Sequence, residues 1–106
     1  MQTGQQACKA WVNFNGTGTV AIRAQYNVSS ITDNGTGDYT LNFTTAMPDA
    51  NYAWTHGHSD GATSGNIRII NPLNTDIRST TQFQIKCSDQ VNVLNDFDAA
   101  CIAIFR

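Results

Sequence analysis

The stretch that decides the fold runs from Asn27 to Ala53 and reads NVSSITDNGTGDYTLNFTTAMPDANYA. In its second half, apolar and polar residues alternate from Asp38 to Thr44. A period of two is typical of a β-strand with one buried face. The sequence therefore predicts a strand here whose core side carries Tyr39, Leu41 and Phe43.

The residues before this strand predict that it is the second strand of a hairpin. Asn34-Gly35 tolerates positive φ and is expected to begin a glycine-containing loop that reverses the chain. Val28 and Ile31 lie an odd number of residues apart, so both can face the core only if a bulge near Ser29-Ser30 adds a residue. After the strand, Met47-Pro48-Asp49 predicts a sharp turn, because Pro sets φ and cannot donate to a ladder.

Outward from this hairpin, alternation predicts further strands. Strands are also expected from Tyr52 to His58 and from Ala99 to Phe105. Ile67 and Ile69 mark another strand, which Asn71-Pro72 ends. The other expected apolar faces are Ala10, Val12 and Phe14; Val20, Ile22, Ala24 and Tyr26; and Phe83, Ile85 and Cys87. Turn signals recur about every eight to twelve residues, the spacing of a sandwich or barrel. We therefore predict an all-β fold, an antiparallel β-sandwich-like domain.

The last strand, Ala99 to Phe105, is apolar on both faces. Ala100, Ile102 and Ile104 lie on one side, and Cys101, Ala103 and Phe105 on the other. Such a pattern is typical of a strand that is covered on both sides. A small sandwich core covers only one face, so a neighbouring subunit is the expected cover for the second.

Length and composition limit the class of protein. The 106 residues suit one domain, which we place at 9–106, after a polar segment at 1–8 that could be the cut end of a longer chain. Every acidic residue is Asp, and the abundance of Thr, Asn, Ser and Gly favours strands and turns. A formal net charge of -2 offers no basic surface to nucleic acid. We expect neither membrane insertion nor secretion, because no apolar run is long enough and Met1 to Ala7 lacks a signal-peptide pattern.

Cys8, Cys87 and Cys101 are odd in number and show no Cys-x-x-Cys pair. This favours reduced thiols that serve as small buried hydrophobes over a metal or redox site. A bridge from Cys8 to Cys101 remains open if the first and last strands are neighbours.

Two segments closely resemble a module at the C-terminal end of bacteriophage tail-fibre proteins. They are KAWVNFNGTGTVAIR (Lys9 to Arg23) and NVSSITDNGTGDYTLNFTTAMPDANY (Asn27 to Tyr52), and the closing IAIFR (Ile102 to Arg106) is similar to the end of that module. The resemblance implies a homotrimeric, β-rich tip domain, made in the host cytoplasm and built into the virion, that helps the phage attach to a bacterium. It covers about the first half of the chain and the last strand. The segment from Trp54 to Ala100 matches no motif.

His56 and His58 are the most chemically suggestive pair. Residues two apart on a strand share a face, so both imidazoles would point the same way. Three copies around a threefold axis could offer their imidazole nitrogens to an octahedral transition-metal ion, and some slender phage fibres resemble this arrangement. The alternative, which we expect, is two exposed histidines at a strand end and no cofactor.

Tyr52 and Trp54 share the face of the two histidines, and two placements are open. The rings either pack inward, as core or subunit-interface residues, or are displayed for contact with a receptor. The candidate receptor-binding residues are then Tyr52, Trp54, His56, His58, Ser59 and Asp60. The loops Ser59 to Gly65 and Asn71 to Thr80 are natural places for specificity.

The run His58, Ser59 and Asp60 does not predict a catalytic triad, because neighbours on an extended chain point to opposite faces. We therefore predict a non-enzymatic adhesion domain that binds a bacterial surface polysaccharide or an outer-membrane protein through several weak contacts at once. Two alternatives remain open. One is a structural trimerisation cap that does not touch the host, and the other is a surface-polysaccharide hydrolase that uses a pair of Asp residues.

Overall fold

The computed structural model describes residues 8–59, 68–71, 78–89 and 93–106. Within these ranges the chain forms eight β-strands and no helix. The strands are β1 (Cys8–Asn15), β2 (Ala21–Tyr26), β3 (Val28–Gly35), β4 (Asp38–Phe43), β5 (Ala53–Ser59), β6 (Arg68–Asn71), β7 (Gln82–Asp89) and β8 (Ala99–Phe105). The first seven residues of the expected polar segment lie outside the described residues.

The strands form two four-stranded sheets that enclose one hydrophobic core. The strand order is β2-β1-β8-β5 in the first sheet and β3-β4-β7-β6 in the second. Every pairing is antiparallel. The expected all-β, antiparallel, sandwich-like fold is therefore confirmed, with the first and last strands of the chain side by side in the middle of one sheet.

The core is built from alternate residues of the central strands, as the periodicity predicted. The core positions expected for β1, β4 and β7 are all buried, and so is one of the two apolar faces of β8: Ala10, Val12, Phe14, Tyr39, Leu41, Phe43, Phe83, Ile85, Cys87, Ala100, Ile102 and Ile104. Phe14 and Tyr39 meet edge to face across the two sheets, with ring centroids 5.1 Å apart. This is one of the arrangements that aromatic quadrupoles favour.

The hairpin of β3 and β4 contains the predicted bulge. The pairing shifts by one residue between Val28 and Ser30, which leaves Ser29 as the additional residue. Val28 is buried and Ile31 packs against the core, so both face inward. The bulge thus reconciles an odd spacing with a single buried face.

The two glycine-containing turns meet in one hydrogen-bonded cluster at the end of the sandwich. The β3–β4 turn lies at Thr36-Gly37, directly after the predicted start. The backbone N–H of Gly37 and the hydroxyl of Tyr39 both donate to Asp96 Oδ1, at 2.8 and 2.5 Å. The Tyr39 hydroxyl also lies 3.0 Å from the carbonyl oxygen of Gly16, in the β1–β2 turn. Burial, and then the hydrogen bond to Asp96, raise the pKa of Tyr39 above its ordinary value.

β2 does not keep one apolar face, contrary to the prediction. Its register against β1 shifts by one residue in the middle of the strand. Val20 and Ile22 pack against the core, whereas Ala24 and Tyr26 lie on the outer face of the sheet. A one-residue shift reverses the face of every residue beyond it, and β2 alone carries no sign of that shift.

β6 lies where Ile67 and Ile69 predicted a strand. Its buried residue is Ile70, which is 2% exposed, while Ile69 is half-buried and Ile67 lies outside the described residues. Two adjacent isoleucines in a four-residue strand do not reveal which of them faces inward.

An ion pair ties the end of β8 to the predicted turn after β4. Arg106 donates to both carboxylate oxygens of Asp49, at 2.8 and 2.7 Å. These hydrogen bonds, and then the backbone N–H of Asn51, lower the pKa of Asp49 to about 2. The turn at Met47-Pro48-Asp49 is thus held against the last residue of the chain.

The three cysteines are free thiols. Cys8 pairs with Phe105 and Cys101 with Asn13, so the two cysteines are not opposite each other and the bridge left open by the sequence is not formed. Only Cys87 is fully buried, and burial raises the pKa of its thiol to about 12. The expectation of a small buried hydrophobe holds for Cys87 and is wrong for Cys8, which is exposed.

Candidate receptor-binding and subunit-interface surfaces

Tyr52 and Trp54 face the inside of the sandwich. Tyr52 is 1% exposed, and its hydroxyl donates to the carbonyl oxygen of Ser79 at 3.0 Å. Trp54 is half-buried, with its ring centroid 5.0 Å from that of Phe83. Of the two placements that the sequence left open, inward packing is the one observed. Tyr52 is consequently a core residue, and its side chain is not available to a receptor.

His56 and His58 follow Trp54 on the same face but remain exposed, because β5 is an edge strand. Their rings stack with centroids 5.7 Å apart. The stack continues onto Trp54 at one end, 5.7 Å from His56, and onto Phe97 at the other, 5.1 Å from His58. The row of rings therefore follows the open edge of the first sheet, with the two exposed histidines between the half-buried Trp54 and the fully buried Phe97.

His56 has the protonation behaviour of a potential metal ligand, but the described residues place no further group of ligands around it. Burial, and then the neighbouring charge of His58, lower the pKa of His56. The neutral imidazole is the form that coordinates metals. No cluster of three or more His, Cys, Asp or Glu side chains occurs among the described residues. A metal site on a threefold axis stays a prediction.

The remaining candidate recognition residues lie at the boundary of the described structure. Ser59 is the last residue of β5. Asp60 and most of the loop that follows fall in 60–67, outside the described residues, as does most of the second candidate loop, in 72–77.

The outer face of the first sheet is mostly apolar at its paired positions. Cross-strand pairing places Tyr26, Trp11, Ala103 and Thr55 in one row, Ala24, Asn13, Cys101 and Gly57 in the next, and Phe105 beside Ala53. None of these residues is charged. Of the four most exposed large hydrophobic residues in the described ranges, three lie here: Trp11 at 40%, Tyr26 at 55% and Phe105 at 37% exposure. We refer to these ten residues as the apolar outer face.

A shallow depression of about 380 Å³ crosses this apolar outer face. Among the residues that line it are Trp11 and the small residues Gly57, Cys101 and Ala103 of β5 and β8. Small residues beside an indole create a recess that an apolar group from another molecule can fill.

The outer face of the second sheet has the opposite character. Asn42 donates to the hydroxyl of Thr32 at 2.9 Å and accepts from the amide of Gln82 at 2.9 Å. Gln84 donates to Asp38 at 2.7 Å. The polar groups of this face satisfy one another and suit contact with water. The two sides of the sandwich are therefore chemically distinct.

The sequence identified only part of the apolar outer face. The doubly apolar pattern of β8 predicted a second covered side. The contributions of Trp11 and Tyr26 were missed, because the bulge in the β1–β2 pairing places Tyr26 outside. A large apolar residue between the core positions Ala10 and Val12 was the available signal for Trp11.

Comparisons with protein families, curated proteins and solved structures give no match to this chain. Among the described residues, none forms a helix long and apolar enough to cross a membrane.

Proposed function

We propose that this chain is the tip domain of a phage tail fibre, that it assembles as a homotrimer, and that it attaches the fibre to a bacterial surface. The observation that carries the proposal is the apolar outer face. In a single chain it leaves an uncharged, tryptophan-containing patch in water, and patches of this kind mark protein–protein contacts. The same assembly is supported by the resemblance to fibre tips of three segments, which are Lys9 to Arg23, Asn27 to Tyr52 and Ile102 to Arg106.

Further copies of the same chain are the occupants that fit this face best. Its central strand carries the small residues Cys101 and Ala103, so a neighbouring copy can approach the sheet closely. The depression beside Trp11 can receive an apolar side chain from that copy. With the centre of the apolar outer face buried between subunits around Trp11, Cys101 and Ala103, and Tyr26 left at its rim, the hydrogen-bonded polar face of the second sheet would point to water.

A trimer also supplies the binding strength that adhesion requires. A single exposed contact on a domain of this size is expected to be weak. Three linked copies convert the second and third contacts into intramolecular events, which raises the overall avidity by roughly 10²–10⁴ when the geometry permits. Trimerisation and attachment are therefore two parts of one proposal.

The test combines the oligomeric state with binding to cells. Ala103→Glu places a charge in the middle of the apolar outer face, and Ser30→Glu places the same charge on the exposed polar face. Light scattering should report a trimer for the wild type and for Ser30→Glu, and a monomer for Ala103→Glu. Labelled wild-type protein and Ser30→Glu should bind at least one strain in a panel of bacteria with different surface polysaccharides. Ala103→Glu should lose that binding.

The possible outcomes separate the alternatives. A monomeric wild type at micromolar concentration contradicts the trimer and the avidity argument together. A trimer that binds no strain in the panel indicates a structural cap. Release of reducing sugar from the purified surface polysaccharide of a bound strain would indicate a hydrolase.

A further inference from the structure

An open cleft of about 600 Å³ lies where the end of β2 meets the segment that follows β4. Among the residues that line it are Lys9, Gln25, Tyr26, Asn27, Thr44 and Thr45. The volume is within the range of roughly 300–1,000 Å³ that is typical of small-ligand sites. None of these residues is among those that the sequence pointed to as a receptor contact.

Asn27 holds the walls of the cleft together. Its backbone has φ of 60°, a left-handed conformation that Asn tolerates better than most residues. Its side-chain Nδ2 donates to the carbonyl oxygens of Lys9 and Thr45, each at 3.1 Å, and its Oδ1 accepts from the N–H of Thr45 at 2.7 Å. Its carbonyl oxygen accepts from the N–H of Thr44 at 3.1 Å. The cleft is therefore preformed, which reduces the entropy lost when a ligand binds.

The groups that face the cleft suit a ligand with many hydroxyls. The ring of Tyr26 is 55% exposed and offers an apolar surface beside a polar tip. Gln25 uses its side-chain oxygen to accept from the N–H of Val28 at 3.1 Å, which leaves its amide nitrogen as a donor within the described structure. The exposed hydroxyls of Thr44 and Thr45 each add a donor and an acceptor.

The charge of the cleft favours neutral or anionic ligands. Lys9 is the single charged residue that lines it among the described residues. Among the described residues, the lining holds no carboxylate that would repel an acidic group or pair with the ammonium. A carboxylate or phosphate on the ligand would gain a charge-assisted hydrogen bond there.

From this arrangement we propose that the cleft binds a glycan. A sugar ring stacks its C–H face on Tyr26, its hydroxyls bond to Gln25, Thr44 and Thr45, and an acidic substituent pairs with Lys9. The inference rests on the proposed attachment function and names its ligand class and its location. It places recognition at the end of β2, whereas the sequence suggested the end of β5.

The position of the cleft also fits a trimer. Tyr26 is directly opposite Trp11 on β1, and β2 is the edge strand of the first sheet. The cleft therefore lies at the rim of the apolar outer face. Assembly through the centre of that face, at Cys101 and Ala103, leaves Tyr26 accessible at the rim and places three equivalent clefts around one axis.

The experiment is a titration of the ¹⁵N-labelled full chain with defined sugars, followed by amide chemical shifts. The probes are a galactose tetrasaccharide, a galacturonic acid tetrasaccharide and mannose 6-phosphate, each to about 10 mM, where a millimolar Kd gives near saturation. At least one probe should shift the amides of Tyr26, Asn27, Thr44 and Thr45, with the acidic probes bound more tightly. Tyr26→Ala should weaken binding about tenfold, which corresponds to about 1.4 kcal/mol, and Tyr26→Phe should retain most of it.

Two further variants test the charged and hydroxyl groups of the cleft. Lys9→Met should lower the affinity for the acidic probes to that for the galactose tetrasaccharide. The double variant Thr44→Val and Thr45→Val removes the hydroxyls with little change of shape, so it tests the cleft even if Tyr26→Ala does not fold. Val93→Ala, an exposed apolar change outside the cleft, is the matched control and should bind like the wild type.

Failure of this inference is distinguishable from failure of the proposed function. Shifts that cluster around His56 and His58, or no shifts with any probe, overturn the glycan cleft while attachment to cells can still be observed. Sugar binding at the cleft by a chain that stays monomeric or binds no bacterium overturns the proposed function but supports the glycan-binding cleft.

Discussion

Replacing Trp11 with Ala tests the apolar outer face most directly. An indole side chain buries at most about 250 Å², and 40% of Trp11 is exposed in the single chain, so assembly can remove roughly 100 Å² per copy from water. At about 25 cal/mol per Å², this contributes roughly 2.5 kcal/mol per copy. A trimer of the Trp11→Ala variant loses this contribution from each of its three copies, about 7 kcal/mol of association free energy in total. Its dissociation constant should therefore rise by about five powers of ten.

The observable is the protein concentration at which half of the trimer has dissociated. The dissociation constant of a trimer has units of concentration squared, so this concentration rises by the square root, roughly several-hundred-fold. Sedimentation velocity over a dilution series measures it. The part of Trp11 that is buried within the chain also stabilises the fold, so a lower thermal midpoint by itself decides nothing.

Two controls separate assembly from folding. Val93→Ala removes a side chain that is 54% exposed but lies outside the strands, and should leave the dissociation concentration unchanged. Ile102→Ala removes a side chain that is 2% exposed on the inner face of β8, and should cost about 2–5 kcal/mol of folding free energy at every protein concentration. A Trp11→Ala curve that overlays the wild type would refute burial of this face between subunits.

Three further outcomes follow from the fold. Gly37→Ala places a Cβ 2.6 Å from the carbonyl oxygen of Cys87 at φ of +66°, and should lower the free energy of unfolding in urea by about 2 kcal/mol or more. Gly18→Ala has a similar φ of +61° but lies in open space, and should lower it by only about 1–2 kcal/mol; equal losses would contradict the steric argument. The pKa of Asp49 is lowered from 3.8 to about 2 in the folded chain. The ion pair with Arg106 therefore stabilises the fold fully above the unfolded pKa of 3.8, and this stabilisation is lost as the pH falls through the folded pKa of about 2. Asp49→Asn should therefore show a shallower decline of the thermal midpoint between those two pH values, and a decline as steep as that of the wild type would argue against the pair. A thiol reagent at neutral pH should label Cys8 quickly and Cys87 only on unfolding, because burial raises the pKa of the Cys87 thiol to about 12; fast labelling of Cys87 in the native protein would show that the core opens there.

The sequence by itself determined the elements whose signal is local. Alternation over six or more residues identified the buried faces of β1, β4 and β7, because the pleat of a strand sends successive side chains to opposite sides. In β8 both faces are apolar, so the sequence did not show which of them joins the core. Even the bulge at Ser29 could be derived, since two apolar residues at odd spacing require it. The doubly apolar β8 likewise predicted a second covered face before any neighbour was known.

Only the tertiary structure decided how those faces combine. A register shift against β1 sends Tyr26 outward, and the pairing with β8 turns the aromatic side of β5 inward, so that Tyr52 becomes core. Asn27 and Thr45 are hydrogen-bonded in the cleft although 17 residues separate them in the sequence. The hydroxyl of Tyr39 donates to Asp96 although 56 residues separate the two. Each of these contacts depends on which strand lies beside which and in what register. That information belongs to pairs of segments, and the periodicity of a single segment does not contain it.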